Sequence, residues 1–413
     1  MRILLLAQFY PPVIGGEERH VRNLAAGLAA RGHKVSVATQ ASHDDAGSTL
    51  DGAVRVHRLR GTLRRLSVLF SDPERTFAPP IPDPEMTLAL RQVIVRERPD
   101  VIHAHNWILH SFLPLRPFTR APFVVTMHDY ALICACKTLM YMNEVPCDGP
   151  ALAKCLRCAG QHYGGLKGGV TAVSNWIDGT YERRAVDKFL TVSGAVARFN
   201  RLTEAGADVE VIPNFVPDDL DVLSSEADPA LLARLPDQYI LFVGDLLSRK
   251  GVPVLLDAYA KLVRPPPLVL IGRRCPETPR DLPAGVRILE NWPHAAIMHA
   301  WNRCLFGVAP SVWHEPCATV VLEGMSQGKA MIVSDRGGMP DMVLDGETGF
   351  VVRPTPDTVR AAMARLIADP DLRQRMGAVG RARVSQFQAR AVVDRIEHVY
   401  RTLIAPHGAM AAE

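Results

Sequence analysis

Two doubly wound α/β domains are the fold class predicted for this 413-residue sequence, and three observations predict it. The chain opens with a strand–glycine–helix–strand unit: Ile3–Ala7, Gly15-Gly16, a helical pattern, then Val35–Thr39. The rhythm pauses near residue 215 and restarts with the buried runs Tyr239–Gly244 and Leu268–Gly272. The length suffices for two domains of ordinary size, each with a core of its own.

Each element has its own justification. Ile3–Ala7 is apolar, short and followed by Pro11-Pro12, so it reads as a buried strand and not as a signal-peptide core. Val21, Leu24, Ala25, Leu28 and Ala29 fall at helical spacing, and Gly32 can end that helix. Val101–His103 and Phe123–Thr126 add strands to the same parallel sheet. From Thr62 to Glu85 the pattern breaks, with Arg64-Arg65, Pro79-Pro80, Pro82 and Pro84, and the chain leaves the sheet. Leu63, Leu66, Val68, Leu69 and Phe70 flank those arginines. They read either as a weak peripheral membrane contact or as a core-facing stripe with a solvated edge. Val211-Ile212-Pro213-Asn214 closes a first domain, 1–214, and the second runs over 215–388. Ala389–Ile404 is an amphipathic terminal segment.

Composition narrows the class. A hydrophobic share of 48% beside 22% charged residues describes a globular chain. No run approaches the roughly 18 apolar residues of a membrane span. The net charge of +4 is too mild to call for nucleic acid, and none is expected as a partner. A cytoplasmic location follows as the expectation.

The densest chemistry lies in Trp313-His314-Glu315-Pro316-Cys317-Ala318-Thr319, continuing to Glu323-Gly324, and then Gly337-Gly338-Met339-Pro340. Phe306–Ser311 reads as a buried strand ending in a turn, so a strand, a loop and a helix N-terminus follow one another. A helix N-terminus offers unpaired N–H groups and a positive dipole end to a phosphate. Glu315 and Glu323 are eight residues apart, about 12 Å if fully helical. That is too far for an acid/base pair on one atom. It suits holding two polyols on either side of a diphosphate.

Other motifs are weaker alone. Gly15-Gly16 permits close backbone approach to a ligand, or simply a tight turn. No Gly-x-Gly-x-x-Gly is present to mark a dinucleotide site. Arg249-Lys250-Gly251 follows the strand ending at Val243-Gly244, where a cation can neutralise a departing diphosphate. His128-Asp129 follows another strand, and His103, His105 and His110 lie in the same half. Five of the eight cysteines cluster: Cys134, Cys136, Cys147, Cys155 and Cys158. In a reducing compartment such a cluster points to metal before disulfide. Cys134, Cys147, Cys155 and Cys158 would close a structural zinc site, with Cys136 spare or in place of Cys134. Buried thiols without metal are the competing reading. Cys275, Cys304 and Cys317 look isolated and read as small hydrophobes.

These segments, strongest from Val308 to Pro354 but running over nearly all of the chain, resemble the family-4 retaining glycosyltransferases of the GT-B fold. The resemblance implies two Rossmann-like domains facing across a cleft, with residues 389–413 packing back on the first. It implies a nucleotide-sugar donor, no metal in catalysis, and transfer on the retained face to an acceptor the motifs leave open. Donor contacts would come from Gly15, Gly16, Arg249, Lys250, Glu315, Cys317, Ala318, Thr319 and Glu323. Glu323 would take the ribose and Glu315 the sugar hydroxyls. Lys250, Glu315 and His128 would act at the reacting centre. One departure stands out: Asp245 occupies a position where the family has Arg. It lends some weight to one alternative, a non-catalytic nucleotide-sugar-binding protein; a sugar-nucleotide epimerase or hydrolase on the same fold is the other alternative.

Overall fold

In the computed structural model, residues 1–13, 15–41, 45–62, 80–220 and 227–408 are described. The Arg64–Phe70 segment with its membrane reading lies outside them. The chain divides into two compact units. One contains residues 1–142, 147–213 and 389–413, and the other 143–146 and 214–388.

The N-terminal unit is built on an eight-stranded sheet. Its strand order is Val209–Val211, Lys188–Thr191, Phe123–Met127, Val101–His105, Arg2–Ala7, Lys34–Gln40, Val54–Leu59 and Gly47–Asp51. All neighbours run parallel except the last pair. The first strand is central, so the order reverses beside it, and ligands of open α/β sheets bind at strand C-terminal ends where that happens. Leu4, Leu5 and Leu6 are fully buried, as a strand covered on both faces requires. Helix Gly16–Ala30 buries Val21, Leu24, Ala25 and Leu28 against the sheet, and Gly32 takes φ +82° just past its end.

The last helix, Ala389–Gly408, returns to this unit. Its Asp394 pairs with Arg31 at 2.6 Å and its Glu397 with His33 at 3.0 Å. Tyr400 is buried, with its hydroxyl 2.5 Å from His103 Nδ1.

The C-terminal unit holds a six-stranded parallel sheet. The order is Val286–Leu289, Leu268–Ile271, Ile240–Val243, Phe306–Ala309, Met331–Ser334 and Gly349–Val352. Here the order reverses between Ile240–Val243 and Phe306–Ala309. The loops after these two strands carry Lys250 and Glu315. Among the described residues, no helix is long and apolar enough to cross a membrane.

Candidate functional site

Two loops meet at the reversal point of the C-terminal sheet. The amides of Val312 and Trp313 donate to the Arg249 carbonyl at 3.0 and 3.4 Å, tying the loops backbone to backbone. The approach is so close that a Cβ on Gly251, at φ +80°, would stand 2.0 Å from the Pro310 carbonyl oxygen. Across this seam the Lys250 ammonium donates to both Glu315 carboxylate oxygens, at 2.8 and 2.7 Å. Trp313 Nε1 and Ser311 Oγ donate to the same carboxylate at 2.8 and 3.2 Å. A buried carboxylate is tolerated only when its lone pairs are met in this way. Arg249 lies beside the pair, 5.7 Å above the Trp313 ring, and its buried Nε has no hydrogen-bond partner.

Gly337-Gly338 supports Glu315 from behind. The Gly338 amide donates to the Glu315 carbonyl at 2.7 Å. Gly337 sits at φ +61°, with room for no Cβ: one would lie 2.2 Å from that carbonyl oxygen.

Helix Thr319–Ser326 begins four residues after Glu315, so the span between the two glutamates is only half helical. Ala318 is its N-cap and supplies no side-chain hydrogen bond. The first-turn N–H groups therefore lack a side-chain acceptor and point where an anion would be welcome. Glu323 is buried on this helix, and His294 Nε2 lies 2.9 Å from its Oε1. Cys317 is buried, with its thiol pushed up to about 12 by burial. Its carbonyl accepts from Asn214 Nδ2 at 3.3 Å, so what it can offer a ligand is backbone and not sulfur.

Asp245 does not stand as a bare acid at this site. It forms an ion pair with Arg273 at 2.9 Å, brought from the loop after the neighbouring strand Leu268–Ile271.

In the N-terminal unit, Gly15 is the N-cap of helix Gly16–Ala30. A Cβ there would meet the Glu18 carboxylate at 2.1 Å, whereas one on Gly16 meets nothing within 4 Å. His128 follows the Phe123–Met127 strand, its Nε2 3.0 Å from His105 Nδ1. The His20 ring stands edge-on to it at 4.8 Å. Burial depresses His20, His103 and His105 well below the usual imidazole range, so these rings are neutral at ordinary pH. His110 is also buried and depressed, with Glu182 3.8 Å away.

Beside these rings is a polar group that no motif marked. Asn106 Nδ2 donates to Glu17 at 2.8 Å, and the buried Lys137 ammonium donates to Asn106 Oδ1 while lying 3.9 Å above the Trp107 ring. Burial, opposed by Lys137 and the Asn106 hydrogen bond, pushes the Glu17 carboxyl up to about 7, with Asp129 and Glu18 adding to the rise. A carboxyl raised in the fold favours folding while it stays protonated. Its contribution is full below the unfolded value, 4.5, and is lost as pH rises through about 7. Glu17→Gln should therefore flatten the fall in melting temperature between about pH 5 and about pH 8. An unchanged slope in a pH series of thermal melts would remove Glu17 as its source.

One all-parallel sheet and one parallel but for its last edge strand, each with a reversal of strand order, and a lysine–glutamate pair beside an open helix N-terminus define the class of GT-B glycosyltransferases. Residues 14–220 match Glycosyltransferase Family 4, and residues 224–383 match Glycosyl transferases group 1. The chain belongs to glycosyltransferase family 4. It is 28% identical to a glycogen synthase of Mycobacterium tuberculosis over 97% of this chain and 94% of that one. Among solved structures it is similar to sucrose-phosphate synthase from Thermosynechococcus elongatus, with TM-score 0.74, 19% identity and coverage of 98% and 100%. It also resembles Anabaena HepE in complex with UDP-glucose, with TM-score 0.65, 16% identity and coverage of 97% and 99%.

Proposed function

We propose that this chain is a retaining hexosyltransferase that takes a nucleoside-diphosphate sugar as donor and needs no metal for the chemical step. The observation that carries the reading is the Lys250–Glu315 pair, held at 2.7 to 2.8 Å beside the uncapped helix at Thr319. Without donor, the carboxylate satisfies the lysine. When donor binds, the diphosphate takes Lys250, the half-buried Arg249 guanidinium and the helix N-terminus, and Glu315 turns to the sugar hydroxyls. Glu323, one turn into the helix, accepts from the ribose hydroxyls, and His294 fixes its orientation.

The anomeric C–O bond to the diphosphate breaks as the acceptor oxygen bonds to that carbon on the same face. The acceptor proton passes to the leaving diphosphate oxygen. Lys250 and Arg249 stabilise the charge that develops there. Gly15-Gly16 and His128 take donor-side and sugar-side roles by family resemblance. The names of the similar proteins support a glucosyl-type donor, HepE through UDP-glucose and the glycogen synthase through its product.

A panel of nucleotide sugars scored by thermal shift tests the reading, because a ligand that binds the native state raises its stability by mass action. One donor should stabilise the protein and be consumed only when an acceptor is supplied. Consumption without acceptor would favour a hydrolase or epimerase, and binding without consumption a non-catalytic binder. Glu323→Ala should weaken binding of that donor by about 1–3 kcal/mol, the cost of unpaired ribose hydroxyls. Unchanged affinity by calorimetry would remove the ribose role.

A further inference from the structure

Five of the eight cysteines line one cavity of about 20 Å³ in the N-terminal unit. They reach it from separate stretches. Cys134 and Cys136 lie in the turn after the Phe123–Met127 strand, and Cys147 in the loop beyond. Cys155 and Cys158 stand one turn apart on helix Leu152–Tyr163. The rest of the wall includes Ile133, Leu139 and Met140, a poor lining for water. All five thiols are free. Peptide N–H groups already face sulfur. Met142 donates to Cys158 at 3.3 Å, and Leu139 and Cys136 donate to Cys134. Such bonds favour the thiolate against burial, which, with Cys147 and Cys158 adding to it, holds the Cys134 thiol up at about 11.

We propose that this cavity is a structural metal centre in which Cys147, Cys155, Cys158 and one sulfur of the Cys134–Cys136 turn bind a single Zn²⁺. Zn–S bonds of about 2.3 Å place tetrahedral sulfurs about 3.8 Å apart. Cys136 Sγ and Cys158 Sγ already stand 3.9 Å apart. The other sulfurs ring the cavity more loosely. Among the described residues, the group of three ligand atoms all within 4.8 Å of one another is His20, His105 and His128, not a set of thiols. Binding therefore draws the turn and the Cys147 loop in toward the helix. Four thiols lose four protons to solvent, four Zn–S bonds form, and nothing is oxidised. The product carries two negative charges, and Lys154, which lines the same cavity and pairs with Asp148, is the nearest cation on its wall. No ligand position is left open, so the ion supports structure and does no chemistry.

The centre would fix Lys137, the residue directly after Cys136. At φ +64° its backbone sits in the left-handed region, and its ammonium is buried beside Asn106. A staple through the Cys134–Cys136 turn holds that cation toward Glu17 and Asp129.

Elemental analysis of the full chain, purified without chelator, should find about one zinc per chain. Cys155→Ser and Cys158→Ser should each lose most of it, while Cys275→Ser, in the other unit, keeps it. Stripping zinc from the wild type should lower its melting temperature, and added Zn²⁺ should restore it. Replacement by Co²⁺ should give the intense absorption of a tetrahedral thiolate site. Because the metal content of the wild type does not depend on any variant folding, it decides the matter alone. Wild-type protein without zinc, with iron and inorganic sulfide in its place, or with disulfides among these five cysteines would overturn the assignment.

Discussion

Lys250→Ala is expected to lower turnover by about 10²–10³-fold, the usual effect of removing one group aimed at charge that develops in a transition state. The fold should survive. Glu315 keeps Trp313 Nε1 and Ser311 Oγ as donors, and the Arg249 carbonyl still ties the two loops together. Arg249→Ala should lose a smaller part, because its guanidinium lies beside the pair and not on Glu315. The measurement is kcat on protein whose urea midpoint has been checked. Wild-type turnover in Lys250→Ala would move the diphosphate contact elsewhere. The Asp245–Arg273 pair changes how the family departure is read. A cation is present at this edge of the site, delivered by the next strand's loop and neutralised by Asp245. Asp245→Arg would set two like charges together, so it is no simple restoration of the family residue.

Gly337→Ala should have the largest effect on stability, about 2 kcal/mol or more. The added methyl group would fall 2.2 Å from the Glu315 carbonyl oxygen and 2.6 Å from its amide nitrogen. Both are backbone, and neither can swing away as a side-chain tip would. Any relief must push the Glu315 loop off its seat, so donor affinity should fall along with the melting temperature. A variant within about 0.5 kcal/mol of wild type, the range of a neutral surface change, would mean the two loops do not cross as described.

Much of the architecture was legible because it is periodic and local. Apolar runs such as Ile3–Ala7 and Leu268–Gly272 became buried strands with ends shifted by a residue. The helix after Gly16 buried Val21, Leu24, Ala25 and Leu28 as their spacing requires, with Ala29 half-buried at the edge. The strands Met331–Ser334 and Gly349–Val352 were missed, because four residues each leave too little periodicity to mark them. The site was legible as residue types but not as pairs. Lys250 and Glu315 are 65 positions apart, and Glu323 and His294 are 29 apart. No periodicity joins such residues. They meet because parallel strands deliver their loops to one edge of the sheet. The Glu17–Asn106–Lys137 group was invisible for the same reason, being assembled from a helix start, a strand end and a turn. One local signal was available: Lys137 directly follows the cysteine turn already singled out.

The return of helix Ala389–Gly408 to the N-terminal unit has a consequence for the order of events during synthesis. Apart from 143–146, the C-terminal unit is a single contiguous stretch, 214–388, and its sheet can close as soon as that stretch is made. The N-terminal unit is begun first but finished last. Until Tyr400 emerges, His103 lacks its buried hydroxyl partner and Arg31 lacks Asp394. Domains generally fold as units, N-terminal first, as the chain emerges. Here the twenty-residue helix Ala389–Gly408 lets the N-terminal unit be completed only after the whole C-terminal stretch has been made. A chain cut short near residue 388 would therefore carry a finished C-terminal unit and an N-terminal one whose apolar flank, covered by Val392, Val393, Ile396 and Tyr400 in the fold, is left bare.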